Sequence, residues 1–412
     1  MKVLFVHRNG PGQFLHWASR LAARGDDVTL LCETADQPLP GVRVVTHAPE
    51  PPSGPGARAS GAAVDYHLRL GERVAAAMDA LARRTGAPDV VVGHGGWGSL
   101  LFAKDVLPST PVLGYCEFFY RASGADVGFD PADVVTMKDR QRLSARNLAQ
   151  TSTLASVDAG LSPTRWQRAL YPAEFQGKIG VCHDGIDTAR CRPDPGARFT
   201  LPDGRVLDRS QPVITFTARD LEPYRGFPQF LRAAARVAAR HPSATFVVVG
   251  GDGVSYGRPA PDGRSWRAVM MEETGLDPAR VHFLGRIPYG DLIRLFQVTT
   301  AHVYLTYPFV LSWSMLEAMA CGALVVGSAT PPVREYVADG RNGLLTDFFD
   351  ADALADRLAD VLARPAAFDP LRAAARQTVL SRADLDQCLA RLTGGIEKLV
   401  QRSAPRYPMA AQ

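Results

Sequence analysis

Short apolar runs separated by amphipathic stretches recur along the whole chain. In the first half, residues 2–6, 28–32, 42–45, 90–93, 112–116 and 179–183 read as strands. The stretches between them follow a helical period. From residue 13 to residue 24, for instance, Phe14, Trp17, Ala18, Leu21 and Ala22 fall on one stripe. The alternation restarts in the second half at residues 213–218, 245–250, 281–284, 302–305 and 324–327, with helical segments such as 230–240 between them. Strands alternating with helices call for parallel sheets covered by helices, so the expected fold class is α/β.

From Asp184 to Gln211 both signals give way to Pro193, Pro195, Gly196, Pro202 and Gly204, a linker composition. This divides the chain into two Rossmann-like β/α/β domains, residues 1–190 and 191–384, with 385–412 as a C-terminal helix packing back towards the first. Two cores suit a chain of 412 residues, because single cores stop growing near ~250 to 300. A tandem of this kind is expected to form a cleft at the carboxyl ends of the strands, where open α/β sheets bind ligands. Residues 49–61, rich in Pro, Gly, Ala and Ser, read as a mobile loop.

Composition narrows the function classes. The formal net charge of +4 is too small for a surface that coats a polyanion, which disfavours nucleic acid as a partner. The six cysteines are scattered, with neither the CxxC pairs of a zinc site nor the density of a disulfide scaffold, as suits a reducing cytosol. No apolar run approaches the ~18 residues of a membrane span, and the chain opens directly on a strand. The expected location is therefore cytoplasmic, at most at the inner face of a membrane. Lys138, Arg140, Arg142 and Arg146 read as a solvated helix face, with contact to a lipid-phosphate acceptor or an anionic membrane surface as the alternative.

The most informative stretch runs from Tyr307 to Gly322 and leads into the strand at 324–327. Ser312 is placed to cap a helix beginning near Ser314, whose positive end stabilises a phosphate. Glu317, one turn on, has two readings: an acceptor for vicinal ribose hydroxyls, or a surface glutamate favourable to the first turns of a helix. The run Glu317-Ala-Met-Ala-Cys-Gly322 with its following strand resembles the signature of the retaining family 4 glycosyltransferases of the GT-B fold. The resemblance extends to Phe216-Thr-Ala-Arg219-Asp-Leu-Glu-Pro-Tyr-Arg225-Gly226, Val248-Val-Gly250-Gly-Asp-Gly253, Val281-His-Phe-Leu-Gly-Arg286-Ile287-Pro288 and His183-Asp-Gly-Ile-Asp187, covering most of residues 180–346 in the family's order.

That resemblance implies that Arg219 and Arg225 clamp a donor diphosphate, with Arg225 at the family's lysine position, and that Glu317 holds the nucleotide ribose. It further implies contacts to the nucleotide sugar from Gly250, Arg286, Ile287, Ser312, Trp313 and Ser314. The chemistry implied is metal-independent transfer of a hexose, with retention, from a nucleoside diphosphate sugar. The acceptor would be a glycan, a lipid-linked or a small-molecule hydroxyl, as in bacterial polysaccharide or glycoconjugate synthesis, and no separate cofactor is needed. A nucleotide-sugar 2-epimerase of the same fold and a non-catalytic nucleotide-sugar-binding subunit are the alternatives. A nicotinamide-dependent oxidoreductase is disfavoured, because the turn at Gly10 and Gly12 lacks the third glycine of GxGxxG. Family members usually carry a second glutamate eight positions before Glu317, and here that position is Phe309. Donor-sugar recognition is then expected from backbone N–H groups near Ser312–Ser314 or from other side chains, as in a bacterial subgroup that shares the phenylalanine.

In the N-terminal half, Gly12 and Gln13 lie in the loop that opens the first helix, and the resemblance turns that loop towards the donor. His94, in His94-Gly-Gly-Trp97-Gly98, and Glu117 follow strands and are expected at the cleft as catalytic candidates; a loop-tying role is the alternative for each. The family often places a histidine near position 117, so the acid is a second departure. Asp350-Ala-Asp352 resembles the metal-binding DxD of the other major glycosyltransferase fold, but it directly precedes a helical run and reads as an N-cap, so no metal ligand is assigned.

Overall fold

A computed structural model describes residues 1–35, 38–49 and 59–403. The chain forms two compact units, one of Met1–Gly185 with the chain from Asp386 onward, the other of Ile186–Leu385. The expected loop at 49–61 lies outside the described residues except at its ends, where Ala59 already begins a helix.

The first unit is built on a seven-stranded, wholly parallel sheet. Its strands are β1 (Lys2–Val6), β2 (Asp27–Cys32), β3 (Val42–Thr46), β4 (Val90–His94), β5 (Val112–Tyr115), β6 (Ala159–Ser162) and β7 (Ile179–Val181), in the order β3-β2-β1-β4-β5-β6-β7. β6 escapes sequence reading because its Asp-Ala-Gly-Leu-Ser composition is poor in strand formers. Gly160 is there for packing: a Cβ on it would lie 2.8 Å from the Ile179 side chain and 3.1 Å from Cys116 Sγ. Helix α1 (Leu15–Ala23) follows a single 3₁₀ turn, and Phe14, Trp17, Ala18 and Leu21 are buried while Ala22 is half-buried. Between β3 and β6 run α2 (Ala59–Thr85) and α3 (Met137–Ser156), the latter opened by a capping box of Thr136 and Asp139.

The second unit carries a six-stranded parallel sheet of β8 (Val213–Asp220), β9 (Thr245–Gly251), β10 (Val281–Phe283), β11 (Ala301–Tyr304), β12 (Leu324–Ser328) and β13 (Leu344–Thr346), ordered β10-β9-β8-β11-β12-β13. Sequence reading missed β13. Helices α4 (Phe227–Arg240), α5 (Trp266–Thr274), α6 (Tyr289–Val298), α7 (Trp313–Ala320), α8 (Ala351–Ala363) and α9 (Asp369–Arg382) complete the unit.

The linker reading of 184–211 is corrected. Phe199–Thr200 pairs with Val206–Leu207 as a small antiparallel ribbon, and Ala197, Phe199, Leu201 and Leu207 are buried with Val213, Val247, Leu295 and Val298. The prolines and glycines there shape turns on a packed surface. The chain passes between units twice, and the two passages are bonded side by side: Ile186 N–H donates to Ala383 O at 2.7 Å and Leu385 N–H to Ile186 O at 2.9 Å. The last helix, α10 (Leu385–Ser403), buries Cys388, Leu389, Leu392 and Ile396 in the first unit, where Trp17 Nε1 donates to Thr393 Oγ1 at 3.2 Å.

In both sheets the first strand has the second on one side and the fourth on the other, so the loops after them diverge to opposite faces. This switch point at the carboxyl ends is where such sheets bind ligands. It brings together residues far apart in sequence.

Candidate active site

In the second unit the switch point lies between β8 and β11. Arg219 sits near the end of β8 with its side chain exposed, and Arg225 closes the 3₁₀ turn that follows. Arg225 is buried to 9% exposure, and its Nη1 donates to Thr306 Oγ1 at 2.7 Å, Val310 O at 3.2 Å and Tyr304 Oη at 3.4 Å. These three hydrogen-bond partners are neutral, and the acid whose charge couples to the guanidinium is the buried Glu222 carboxyl. Tyr304 Oη also accepts from Ser312 N–H at 2.8 Å, which ties the arginine to the start of α7.

Ser312 caps α7 as expected: its Oγ accepts from Ser314 N–H at 3.4 Å and lies 2.9 Å from Ser314 Oγ. The surface reading of Glu317 is overturned, since the residue is 7% exposed and its Oε1 accepts from the Tyr289 hydroxyl at 2.8 Å. Burial pushes the Glu317 carboxyl upward, while the Tyr289 hydrogen bond and the charge of Arg190 pull it back. Burial and the adjacent carboxylate raise the Tyr289 hydroxyl strongly, so it stays protonated and donates. Arg190 completes the group with its guanidinium 4.5 Å from the Tyr289 ring centroid.

Gly250 is held at φ +155°, and a Cβ there would lie 2.8 Å from Ala218 O, so only glycine lets β9 pass this close to the end of β8. Its N–H donates to Gly285 O at 2.9 Å, which brings the 285–287 segment alongside. Arg286 is exposed with Nη2 3.6 Å from Asp220 Oδ1. Ile287 and Trp313 are half-buried and pack against hydrophobic clusters. Phe309 is buried among Tyr224, Tyr256 and Arg225, with centroids 5.2 and 5.0 Å from the two tyrosines. Tyr256, Tyr289 and Arg190 carry no motif, and sequence reading missed them.

In the first unit the switch point lies between β1 and β4 and gathers His94, Glu117 and Gln13 with an unanticipated partner, His7. His94 Nδ1 accepts from Gly96 N–H at 3.0 Å, so its proton resides on Nε2, which faces Glu117 Oε2 at 3.3 Å. His7 Nδ1 likewise accepts from Asn9 N–H at 3.1 Å, and its Nε2 meets Gln13 Oε1 at 2.8 Å. Gln13 Nε2 then donates to Glu117 Oε1. Both ends of the Gln13 amide are thus engaged within the protein. Gly12, at φ +52°, allows this contact, because a Cβ would lie 2.4 Å from the His7 ring. Burial opposes the Glu117 charge, but the His94 hydrogen bond, the two imidazoles and Gln13 outweigh it and hold the carboxyl below its usual range. Burial, reinforced by His94, pushes His7 down to about 4. His94 also stacks on Trp97 at 4.1 Å.

Asp350 is an N-cap, its Oδ1 accepting from Ala353 N–H at 2.8 Å, while Asp352 pairs with Arg236. Lys138, Arg140, Arg142 and Arg146 are exposed along α3, with Arg146 lying 4.0 Å over the Tyr120 ring. Among the described residues no helix is long and apolar enough to cross a membrane.

The fold has close counterparts. Sucrose-phosphate synthase from Thermosynechococcus elongatus matches with a TM-score of 0.72 at 18% identity, covering 98% of this chain and all of that one. HepE of Anabaena, solved in complex with UDP and glucose, matches with a TM-score of 0.70 at 16% identity over 97% of this chain and all of that one. The architecture is therefore GT-B.

Residues 24–191 match the family model "Glycosyl transferase family 4 group" and residues 202–378 match "Glycosyl transferases group 1". Together with the fold, these matches place the chain among the family 4 glycosyltransferases. D-inositol 3-phosphate glycosyltransferase of Mycobacterium avium is 33% identical over 189 residues, which is 46% of this chain and 42% of the relative. GDP-mannose-dependent alpha-(1-6)-phosphatidylinositol monomannoside mannosyltransferase of Mycolicibacterium smegmatis is 28% identical over 229 residues, 52% of this chain and 53% of the relative. The matched segments thus span about half the length of these curated relatives, or less.

Proposed function

We propose that the protein transfers a hexose from a nucleoside diphosphate sugar to a hydroxyl acceptor with retention at the anomeric carbon. The observation that carries this reading is the pair Arg219 and Arg225 at the switch point of the second sheet, with Arg225 Nη1 hydrogen-bonded to neutral groups. Nucleoside diphosphates among the relatives support the donor class: HepE of Anabaena is solved with UDP and glucose, and the Mycolicibacterium smegmatis mannosyltransferase is GDP-mannose-dependent.

In this reading the diphosphate lies against both guanidinium groups and the start of α7. Cleavage of the bond from anomeric carbon to phosphate oxygen leaves growing negative charge on the leaving diphosphate, and fixed positive charge there lowers the barrier by several kcal/mol per group. The acceptor hydroxyl attacks from the face the leaving group vacates, and a departing phosphate oxygen takes its proton. The two arginines supply the positive charge, so the reading requires no metal. Glu317, anchored through Oε1 by Tyr289, offers its second oxygen to the ribose. The donor sugar meets Phe309 and Tyr256 rather than a carboxylate, and its polar contacts fall to the 312–314 backbone. His94 and Glu117 belong to the acceptor-side unit and serve the acceptor. A glycan, a lipid-linked or a small-molecule hydroxyl suits a bacterial glycoconjugate pathway.

Arg219→Ala and Arg225→Ala are expected to cut turnover by at least about 100-fold, the scale of losing one charge-stabilising donor. Unchanged rates in both would remove the clamp. Glu317→Ala is expected to weaken nucleotide binding in calorimetry, and wild-type affinity would end the ribose role. Incubating donor without acceptor separates transfer from 2-epimerisation, and detectable donor hydrolysis or transfer excludes a purely binding subunit.

A further inference from the structure

The two arginines share an aromatic neighbour. The Tyr256 ring, in the loop after β9, has its centroid 5.9 Å from Arg219 Cζ and 5.3 Å from Arg225 Cζ. Its position is imposed by acids at the end of β8. Glu222 is wholly buried, and its carboxylate accepts the backbone N–H groups of Ser255 at 3.3 Å, Tyr256 at 3.0 Å and Gly257 at 2.9 Å. Asp220, also buried, accepts from the Ser255 hydroxyl. A Cβ on Gly257 would lie 3.1 Å from Glu222 Oε2, so a side chain there would crowd the carboxylate. A buried acid spent on backbone donors of a surface loop is costly unless the loop's placement matters. What the placement achieves is a ring face against both guanidinium groups, one of them otherwise exposed to solvent and free to sample rotamers.

We propose that Glu222 is a positioning residue for the donor diphosphate. It fastens the 255–257 turn, the turn sets Tyr256, and the Tyr256 ring orients Arg219 and Arg225 so that their N–H edges converge on one anion. This rests on the reading of those arginines as the diphosphate site. Glu222→Gln keeps the size of the side chain but leaves one acceptor oxygen for three N–H groups and turns an NH₂ towards them.

The test uses the full-length protein in isothermal titration calorimetry with UDP and GDP as probes, and with uridine and guanosine as controls lacking the diphosphate. For the nucleotide that binds the wild type, Glu222→Gln and Tyr256→Ala are expected to weaken affinity about tenfold, with nucleoside affinity unchanged. Tyr256→Phe, which keeps the ring, should retain wild-type affinity. Equal losses for nucleotide and nucleoside would mark a general structural defect and overturn the proposal, as would unchanged nucleotide affinity in both Glu222→Gln and Tyr256→Ala. If Arg219→Ala and Arg225→Ala themselves leave nucleotide binding intact, or if neither nucleotide binds the wild type, the underlying diphosphate reading falls and takes the proposal with it. If the arginine variants weaken binding and the Glu222 and Tyr256 variants do not, the proposal alone falls.

Discussion

At the scale of single residues, the site is made by burying groups that chemistry would rather leave in water and then fixing their orientation. Arg225 is the plainest case, because its three hydrogen bonds go to a hydroxyl, a carbonyl and a phenol, and none of them quenches the charge. Arg225→Lys keeps that charge but loses the planar fork, so kcat/KM is expected to fall by about tenfold, well short of the loss in Arg225→Ala; equal losses would show that fork geometry, and not charge, is what counts. Tyr289 and Glu317 show the same economy. Removing the phenol in Tyr289→Phe leaves Glu317 Oε1 without its donor, and nucleotide affinity should drop by roughly threefold to tenfold in calorimetry. An unchanged affinity would mean that Glu317 is positioned by its helix alone.

At the scale of elements, termini and turns carry the chemistry while strands and helices carry the load. Apart from Glu317, one turn inside α7, the candidate site residues lie at the carboxyl end of a strand, at the start of a helix or in the turn between. The Asp350 cap lets two readings be tested against each other. As a cap, Asp350→Ala should cost about 1 kcal/mol in denaturant unfolding with turnover unchanged, the usual effect of losing an N-cap acceptor. A collapse of turnover with no loss of stability would instead favour the metal-binding reading of Asp350-Ala-Asp352. The ribbon at Phe199–Leu207 teaches a related lesson. Proline and glycine mark where a chain turns, and the buried Phe199, Leu201 and Leu207 between them decided that this turn-rich segment is packed.

At the scale of the whole molecule, buried histidines link stability to pH. Burial, the largest cause in each case, lowers His7, His67 and His183 to about 4 and His302 to about 3. A histidine depressed in the folded state binds its proton more readily when unfolded, so stability is lost as pH falls below 6.5 towards those values. The slope is at most roughly 1.4 kcal/mol per pH unit for each histidine. The raised carboxyls of Glu222 and Glu317 act in the opposite sense but are fewer. Urea unfolding at pH 5 should therefore show a lower midpoint than at pH 7.5, and equal midpoints would contradict the burial of these rings. The sequence by itself determined the α/β alternation, most of the strands, the cap residues and the motif around Glu317, because those depend on local periodicity and on hydrogen bonds between near neighbours. Tertiary structure alone decided that strand β6 exists, that residues 184–211 are packed, that Glu317 is buried against Tyr289, and that His7, Gln13, Glu117 and His94 meet. Each of these turns on which strand lies beside which, and strand order is set by long-range burial that no window of the chain contains.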